Sequence, residues 1–295
     1  MVTGGPADER AYAHCERLAR EHYENFPVAS LLLPAAMRPH IAAIYAFARR
    51  ADDFADEPGL SAEERFARLD DWLARLRKAA AGPGPRHGTS AGDDLIFLAL
   101  GNTMRQHALP LALFEDLLSA FRQDVTTTRY RTWTDVLDYC RRSANPVGRL
   151  VLRVAGSDDS RTDAASDAVC TALQLTNFWQ DLGRDWDTGR LYVPLEDLER
   201  ADARETDLAD RRMTPAWRSV IGTMVQRTRE LFVAGRPVCD AVRGRLRWEL
   251  RLTWLGGWRN LEKVERARRD SFDVRPTLGR ADLPGLLRDA LVWTR

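Results

Sequence analysis

Residues 45–57 read Tyr45-Ala-Phe-Ala-Arg49-Arg-Ala-Asp52-Asp53-Phe-Ala-Asp56-Glu57, and their spacing decides the fold class. Tyr45, Arg49, Asp52 and Asp56 are 4, 3 and 4 residues apart, which places them in one stripe on a helix. Pro34 and Pro39 bracket the start of that helix near Arg38, and Pro58-Gly59 stops it after Asp56. Working outward, Ser61 with Glu64 forms a capping box for a helix reaching about Ala81. Ala81 to Gly92, rich in glycine and proline, is the one loose linker. Further helices are predicted over Asp93–His107, Leu111–Gln123, Thr132–Ala155 and Asp159–Asp187. Thr214-Pro215 opens another to about Val233, and a last pair covers roughly Val238–Arg268 and Asp282–Trp293. Strand-type alternation is almost absent, so the expectation is an all-α protein, one domain over 1–295 with a ragged N-terminus at about 1–8.

The 295 residues are enough for a large core, and 44% hydrophobic with 29% charged residues is an ordinary globular composition. Lys and Arg total 44 against 43 Asp and Glu, a net charge of +1 that lacks the positive field nucleic-acid binding requires. No nucleic-acid partner is expected. Lys78 and Lys263 are the only lysines, and the arginine bias reads as codon usage rather than as a site. Cys15, Cys140, Cys170 and Cys239 form no C-x-x-C pair, and no secretory leader or membrane span is evident. The expected location is therefore cytoplasmic, with peripheral contact at the inner membrane face at most.

The acidic group of the opening segment lies in the last turns of its helix, where the macrodipole penalises each carboxylate by about 0.3–1 kcal/mol. Something positive should compensate. Oxygen ligands suit Mg²⁺, which takes a few carboxylates together with substrate phosphate oxygens; on this segment alone, a solvated acidic helix end is the favoured reading. The pattern then repeats. Gln174, Asn177, Asp181 and Asp185, spaced 3, 4 and 4 apart, line one face of a helix that Gly189 ends. Two such helices facing across a cavity would cage divalent cations around a diphosphate, whose departure as pyrophosphate the metal assists.

These residues resemble the squalene/phytoene synthases, head-to-head prenyl transferases of the isoprenoid synthase fold, a helical bundle around a central cavity. Asp52 to Asp56 is similar to the first acidic motif of that family. Gln174-x-x-Asn177-x-x-x-Asp181-x-x-x-Asp185, followed by Arg190-Leu-Tyr192-Val-Pro194, is similar to the second. Tyr139-Cys140 leading to Ala144 and Val147-Gly148 is a third match, and the three fall in family order over roughly residues 12–275. The resemblance implies that Asp52, Asp56, Asn177, Asp181 and Asp185 bind Mg²⁺ and that Arg49 contacts diphosphate. It also implies that Tyr45 and Tyr139 flank a cationic centre, with Phe26, Ala144, Val147, Gly148 and Gln174 lining the substrate.

The departures narrow the resemblance. His22-Tyr23-Glu24-Asn25-Phe26 has Tyr-Glu where many members carry Ser-Lys, Gln180 replaces a usual arginine or glutamate, and Asn145-Pro146 replaces small apolar residues. Residues 22–30 and 141–150 look instead like the bacterial hydroxysqualene synthase subfamily of hopanoid biosynthesis. That subfamily ionises presqualene diphosphate and lets water capture the cation as hydroxysqualene. Pro146 removes a backbone donor, so Asn145 beside it either holds the capturing water or marks a kink without a chemical role. Phe178 and Trp179 lie off the acidic stripe and are less strongly placed at the site. The histidines form no H-x-x-x-H pair, His22 being only a weak phosphate-side candidate. Arg251, Arg266, Arg269 and Arg275 are late arginines of which no single one stands out as a phosphate contact.

The leading expectation is Mg²⁺-dependent conversion of a C30 isoprenoid diphosphate, presqualene diphosphate, to hydroxysqualene without NADPH. The rival within the family condenses two farnesyl diphosphates to presqualene diphosphate, squalene or dehydrosqualene. A helical binding protein that kept the fold without catalysis is the alternative of another class. Nothing in the sequence specifies an oligomeric state.

Overall fold

The computed structural model describes residues 5–21, 32–82, 92–268 and 271–293. Among them the regular structure is helical, the sole β feature being an isolated bridge between Arg129 and Leu191. The backbone resolves into two compact units: Met1–Thr126 with Pro146–Asp159, and Thr127–Asn145 with Ser160–Arg295.

The first unit contains α1 (Pro6–Glu21), α2 (Arg38–Asp56), α3 (Ala62–Ala81), α4 (Gly92–Gln106) and α5 (Leu111–Asp124). Helix α2 starts and stops where its prolines place it. Helix α3 carries the expected capping box, Ser61 accepting from the Glu64 amide at 3.2 Å while Glu64 accepts from the Ser61 amide at 2.8 Å. Helix α2 packs against α1, α3, α4 and α5. Phe47, fully buried at its centre, stacks on Trp72 at 5.8 Å and meets Phe114 edge-on at 5.6 Å. Fully burying rings of this size contributes about 1.5–3 kcal/mol each. Between α1, α2 and α4 sits a polar knot, in which the Tyr12 hydroxyl meets Thr103 Oγ1 at 3.1 Å and His40 Nδ1 meets it at 3.0 Å. Burial, with the adjacent His107 ring second, pulls His40 down to about 4.

The second unit contains α6 (Trp133–Ser143), α8 (Ser160–Asp187), α9 (Leu195–Ala201), α10 (Glu205–Ala209), α11 (Pro215–Gly235), α12 (Val238–Ala241), α13 (Gly244–Ala267) and α14 (Leu283–Val292). Helix α8 packs on α6, α11 and α13. Trp179, fully buried, donates its indole N–H to Thr228 Oγ1 on α11 at 2.9 Å, so it is a core residue.

Four features differ from the sequence expectation. The predicted helix Thr132–Ala155 is two, α6 and α7 (Asn145–Val154), separated at Ala144 with φ −113° and ψ −46°. Pro146 has no N–H to give, and its ring would clash with the carbonyl four residues earlier in a continuous helix. The predicted Val238–Arg268 helix is also interrupted: Val242 is extended, and Gly244 takes φ +62°. Helix α1 begins at Pro6, within the stretch expected to be ragged, and α9 and α10 are too short to show a clear period in sequence. No helix of the described residues is long and apolar enough to cross a membrane.

Candidate active site

In the first unit, the end of α2 keeps its acidic character, with no basic residue in the last turn. The compensating charge comes from one turn back. Arg49 reaches Asp53 at 2.9 Å and Asp52 at 3.7 Å, at the i+4 and i+3 positions the sequence spacing offers. Tyr45 lies half-buried a turn earlier on the same stripe, and Asp56 is exposed. Beyond the helix, Arg65 donates to the Glu57 carbonyl at 3.1 Å and Arg68 pairs with its carboxylate. Arg49, expected to contact diphosphate, is thus engaged with the aspartates it accompanies, on a side chain 42% exposed that has room to turn. Val147 and Gly148 lie half-buried in α7.

In the second unit, Gln174, Asn177, Asp181 and Asp185 are all half-buried along α8. The helix closes in a tight turn in which the Arg190 amide donates to the Asp185 carbonyl at 2.7 Å and Gly189 takes φ +83°. Asp181 has a counter-ion from far along the chain: Arg275 engages both its oxygens, Nη2 to Oδ2 at 3.1 Å and Nε to Oδ1. Beside this pair, Arg268 is buried and donates to carbonyls of α8 and of residues 271–274. Burial lowers its guanidinium to about 10, and the nearby Asp181 and Asp273 partly offset that, so it stays charged at neutral pH.

An aromatic cluster assembles in the same unit. Residues 128–131 pair with 191–196, Leu191 donating its amide to Thr128 at 2.9 Å and Leu195 to Tyr130 at 2.9 Å. That pairing brings Tyr130 and Tyr192 to Tyr139. Tyr139 lies 6.0 Å from Phe178 and 6.1 Å from Tyr192, while Phe178 and Tyr192 stack in parallel at 3.7 Å. Phe178, off the acidic stripe, therefore belongs with Tyr139, and Tyr130 and Tyr192 join it. Where α6 ends, Ala144 and Asn145 are both buried, and Asn145 Oδ1 accepts from the Thr171 hydroxyl of α8 at 2.9 Å.

Phe26 lies outside the described residues, as does His22. Among the described residues, no three His, Cys, Asp or Glu side chains gather closely enough to hold a metal by themselves. The donor set is nevertheless the hard, oxygen-only kind that fits Mg²⁺, an ion that keeps several waters and shares its shell with substrate phosphates. Asp52 and Asp181 both retain solvent contact, at 40% and 23% exposure. Burial pushes the Cys15 and Cys239 thiols up to about 12, which leaves them inert at neutral pH. Local spacing in the sequence does not mark Arg268, Tyr130 or Thr171. Each reaches its place through a distant chain pairing that no local period announces.

The profile of the squalene/phytoene synthase family matches residues 19–284. A hydroxysqualene synthase of Rhodopseudomonas palustris is 39% identical over 222 residues, covering 75% of this chain and 72% of the relative. One from Zymomonas mobilis is 38% identical over 211 residues, covering 70% and 67%. Among solved structures, squalene synthase HpnC from Alicyclobacillus acidocaldarius superposes with a TM-score of 0.82 at 40% identity, over 91% of this chain and 98% of that one. A dehydrosqualene synthase in complex with ligand gives 0.83 over 97% of each chain, at 22% identity, a likeness of fold alone.

Proposed function

The chain belongs to the squalene/phytoene synthase family and is an isoprenoid synthase, and from that premise we propose that it converts presqualene diphosphate to hydroxysqualene in a step of bacterial hopanoid and squalene biosynthesis. The carbon–oxygen bond to the diphosphate breaks, pyrophosphate leaves, the cation rearranges, and a water adds its oxygen while losing a proton. NADPH has no part in that balance. Bound Mg²⁺ supplies Lewis-acid neutralisation of the charge that develops on the departing diphosphate.

The chain's own residues divide the remaining work. Asp52 and Asp56 of the first unit would bind Mg²⁺ at the end of α2, and Asn177, Asp181 and Asp185 of the second unit would bind it along α8; Arg49 would turn from Asp52 and Asp53 to the diphosphate. Faces of Tyr139, Phe178 and Tyr192 would stabilise positive charge by up to about 2 kcal/mol each when desolvated. The observation that carries the water-capture reading is Asn145, a buried amide at the break between α6 and α7, oriented by Thr171 at 2.9 Å. A reactive water needs two to four polar partners. The second lone pair of Asn145 Oδ1 can accept from a water and aim that water's own lone pair at a cation. Asn145→Ala should then shift products from the alcohol toward alkenes formed by proton loss, at similar rates of pyrophosphate release.

The 38–39% identity to hydroxysqualene synthases supports the same substrate. The test is to incubate the protein and Mg²⁺ separately with presqualene diphosphate and with farnesyl diphosphate, identifying products by mass spectrometry. Hydroxysqualene from the first alone is expected; condensation products from the second would move the assignment to the head-to-head transferases. Peripheral membrane contact, which an apolar product would favour, is supported by Leu283, Leu287 and Leu291 of α14, an i, i+4, i+8 stripe 53%, 54% and 71% exposed.

A further inference from the structure

Arg268 is 2% exposed. Its five described hydrogen bonds all end on backbone carbonyls, from two segments. Nε donates to Trp179 at 3.2 Å and Nη2 to Gln180 at 2.7 Å, in the body of α8. Nη1 donates to Ser271 at 3.1 Å and to Phe272 and Val274 at 2.8 Å each. Gln180 completes the clasp from the other side, its Nε2 donating to the Pro276 carbonyl. The residues gripped are the immediate neighbours of the ion pair already described: Gln180 precedes Asp181, and Val274 and Pro276 flank Arg275. Gly183 lets the two segments approach, since a Cβ there would come within 2.6 Å of the Phe272 carbonyl. The cavity beside them measures about 60 Å³, room for water and not for a prenyl chain.

Burying a guanidinium is costly unless all its donors are met, and a plain packing contact between a helix and a loop does not need one. What a rigid five-donor fork adds is the fixed placement of two backbones at once. We propose that Arg268 and Gln180 are positioning residues: they clamp the backbone on both sides of Arg275 so that its guanidinium meets Asp181 and orients that carboxylate for Mg²⁺ and diphosphate. The proposal rests on the reading of Asp181 as a metal ligand given above. Gln180, through its hydrogen bond to the Pro276 carbonyl, is then a working part of the clamp.

The test uses the full chain and the rise in unfolding temperature produced by Mg²⁺ with inorganic pyrophosphate, from which a half-saturating Mg²⁺ concentration is read. Gln180→Leu keeps the packing volume and removes the donor. It should raise that concentration roughly threefold to tenfold, the range a single hydrogen bond spans. Arg275→Ala should raise it at least as much, and Gln180→Leu added to Arg275→Ala should raise it no further. An equal rise in both backgrounds, or no rise from Gln180→Leu or from Arg275→Ala in the wild-type chain, would overturn the proposal. Gly183→Ala, which pushes the Phe272 carbonyl away, should act in the direction of Gln180→Leu and lose its effect in the same background; persistence there would also overturn it. Failure of the underlying reading has its own signature, which is Asp181→Asn leaving the Mg²⁺ and pyrophosphate response intact.

Discussion

The ends of α2 and α8 present the same problem, carboxylates gathered where the helix dipole disfavours them, and they solve it differently. At α2 the counter-ion is Arg49, three and four residues before the aspartates it meets and 42% exposed. At α8 it is Arg275, 94 residues beyond Asp181, on a segment held by a buried arginine and a glutamine. A local counter-ion on a half-exposed side chain can leave without disturbing the backbone. A distant one comes with a built framework, so its position is fixed and its removal has structural cost. The comparison suggests a mobile cation at the first acidic end and a held one at the second.

The largest effect should appear where the two ends are expected to act alike. Asp52→Asn and Asp181→Asn should each lower turnover by orders of magnitude while far-UV circular dichroism stays unchanged, since each would remove a ligand of the Mg²⁺ that neutralises the leaving group. Full activity in EDTA would contradict a metal role at both ends.

Stability should then separate them. Arg268→Met strips five carbonyls of a donor in a buried setting and should cost about 3 kcal/mol or more in urea unfolding. A loss near zero would show that the clamp at α8 is not a framework.

Acid should single out α2. His40, in its first turn, has a folded-state value of about 4, lowered from 6.5 chiefly by burial. The unfolded chain therefore binds the proton more readily, so stability is full above about pH 6.5 and is lost as pH falls toward 4. Amide exchange at pH 5 should accelerate in α2 more than in α8, and His40→Gln should flatten the difference. Equal acceleration in both helices would remove the histidine from the account.

The smallest effect belongs to Arg49→Ala, which should change stability by only about 0.5 kcal/mol, as an exposed pair one helical turn apart does. Asp52→Asn, which the dipole alone would make stabilising, should be near neutral for the same reason, because Arg49 already offsets that charge.

The same contrast explains what was legible in the sequence. Helix α2, its proline brackets, the Ser61 capping box and the Arg49 stripe are set within about one helical turn, so spacing alone locates them. The α6–α7 break was foreshadowed by Pro146, although the chain separates there where a kink within one helix was expected. Helices α9 and α10 are too short for a period to emerge, and Gly244 disguises the start of α13. At the site, Tyr139 and the α8 stripe were visible as patterns. The partners Tyr130, Thr171 and Arg268 were not, because their placement depends on chain pairings such as 128–131 with 191–196.

Water capture is the central claim, and the source of one oxygen atom tests it. Presqualene diphosphate should be incubated with the protein and Mg²⁺ in ¹⁸O-labelled water, without NADPH, and the product analysed by mass spectrometry. The account predicts hydroxysqualene carrying one ¹⁸O in its hydroxyl group. An alcohol without the label, or turnover only with farnesyl diphosphate and NADPH, would contradict it.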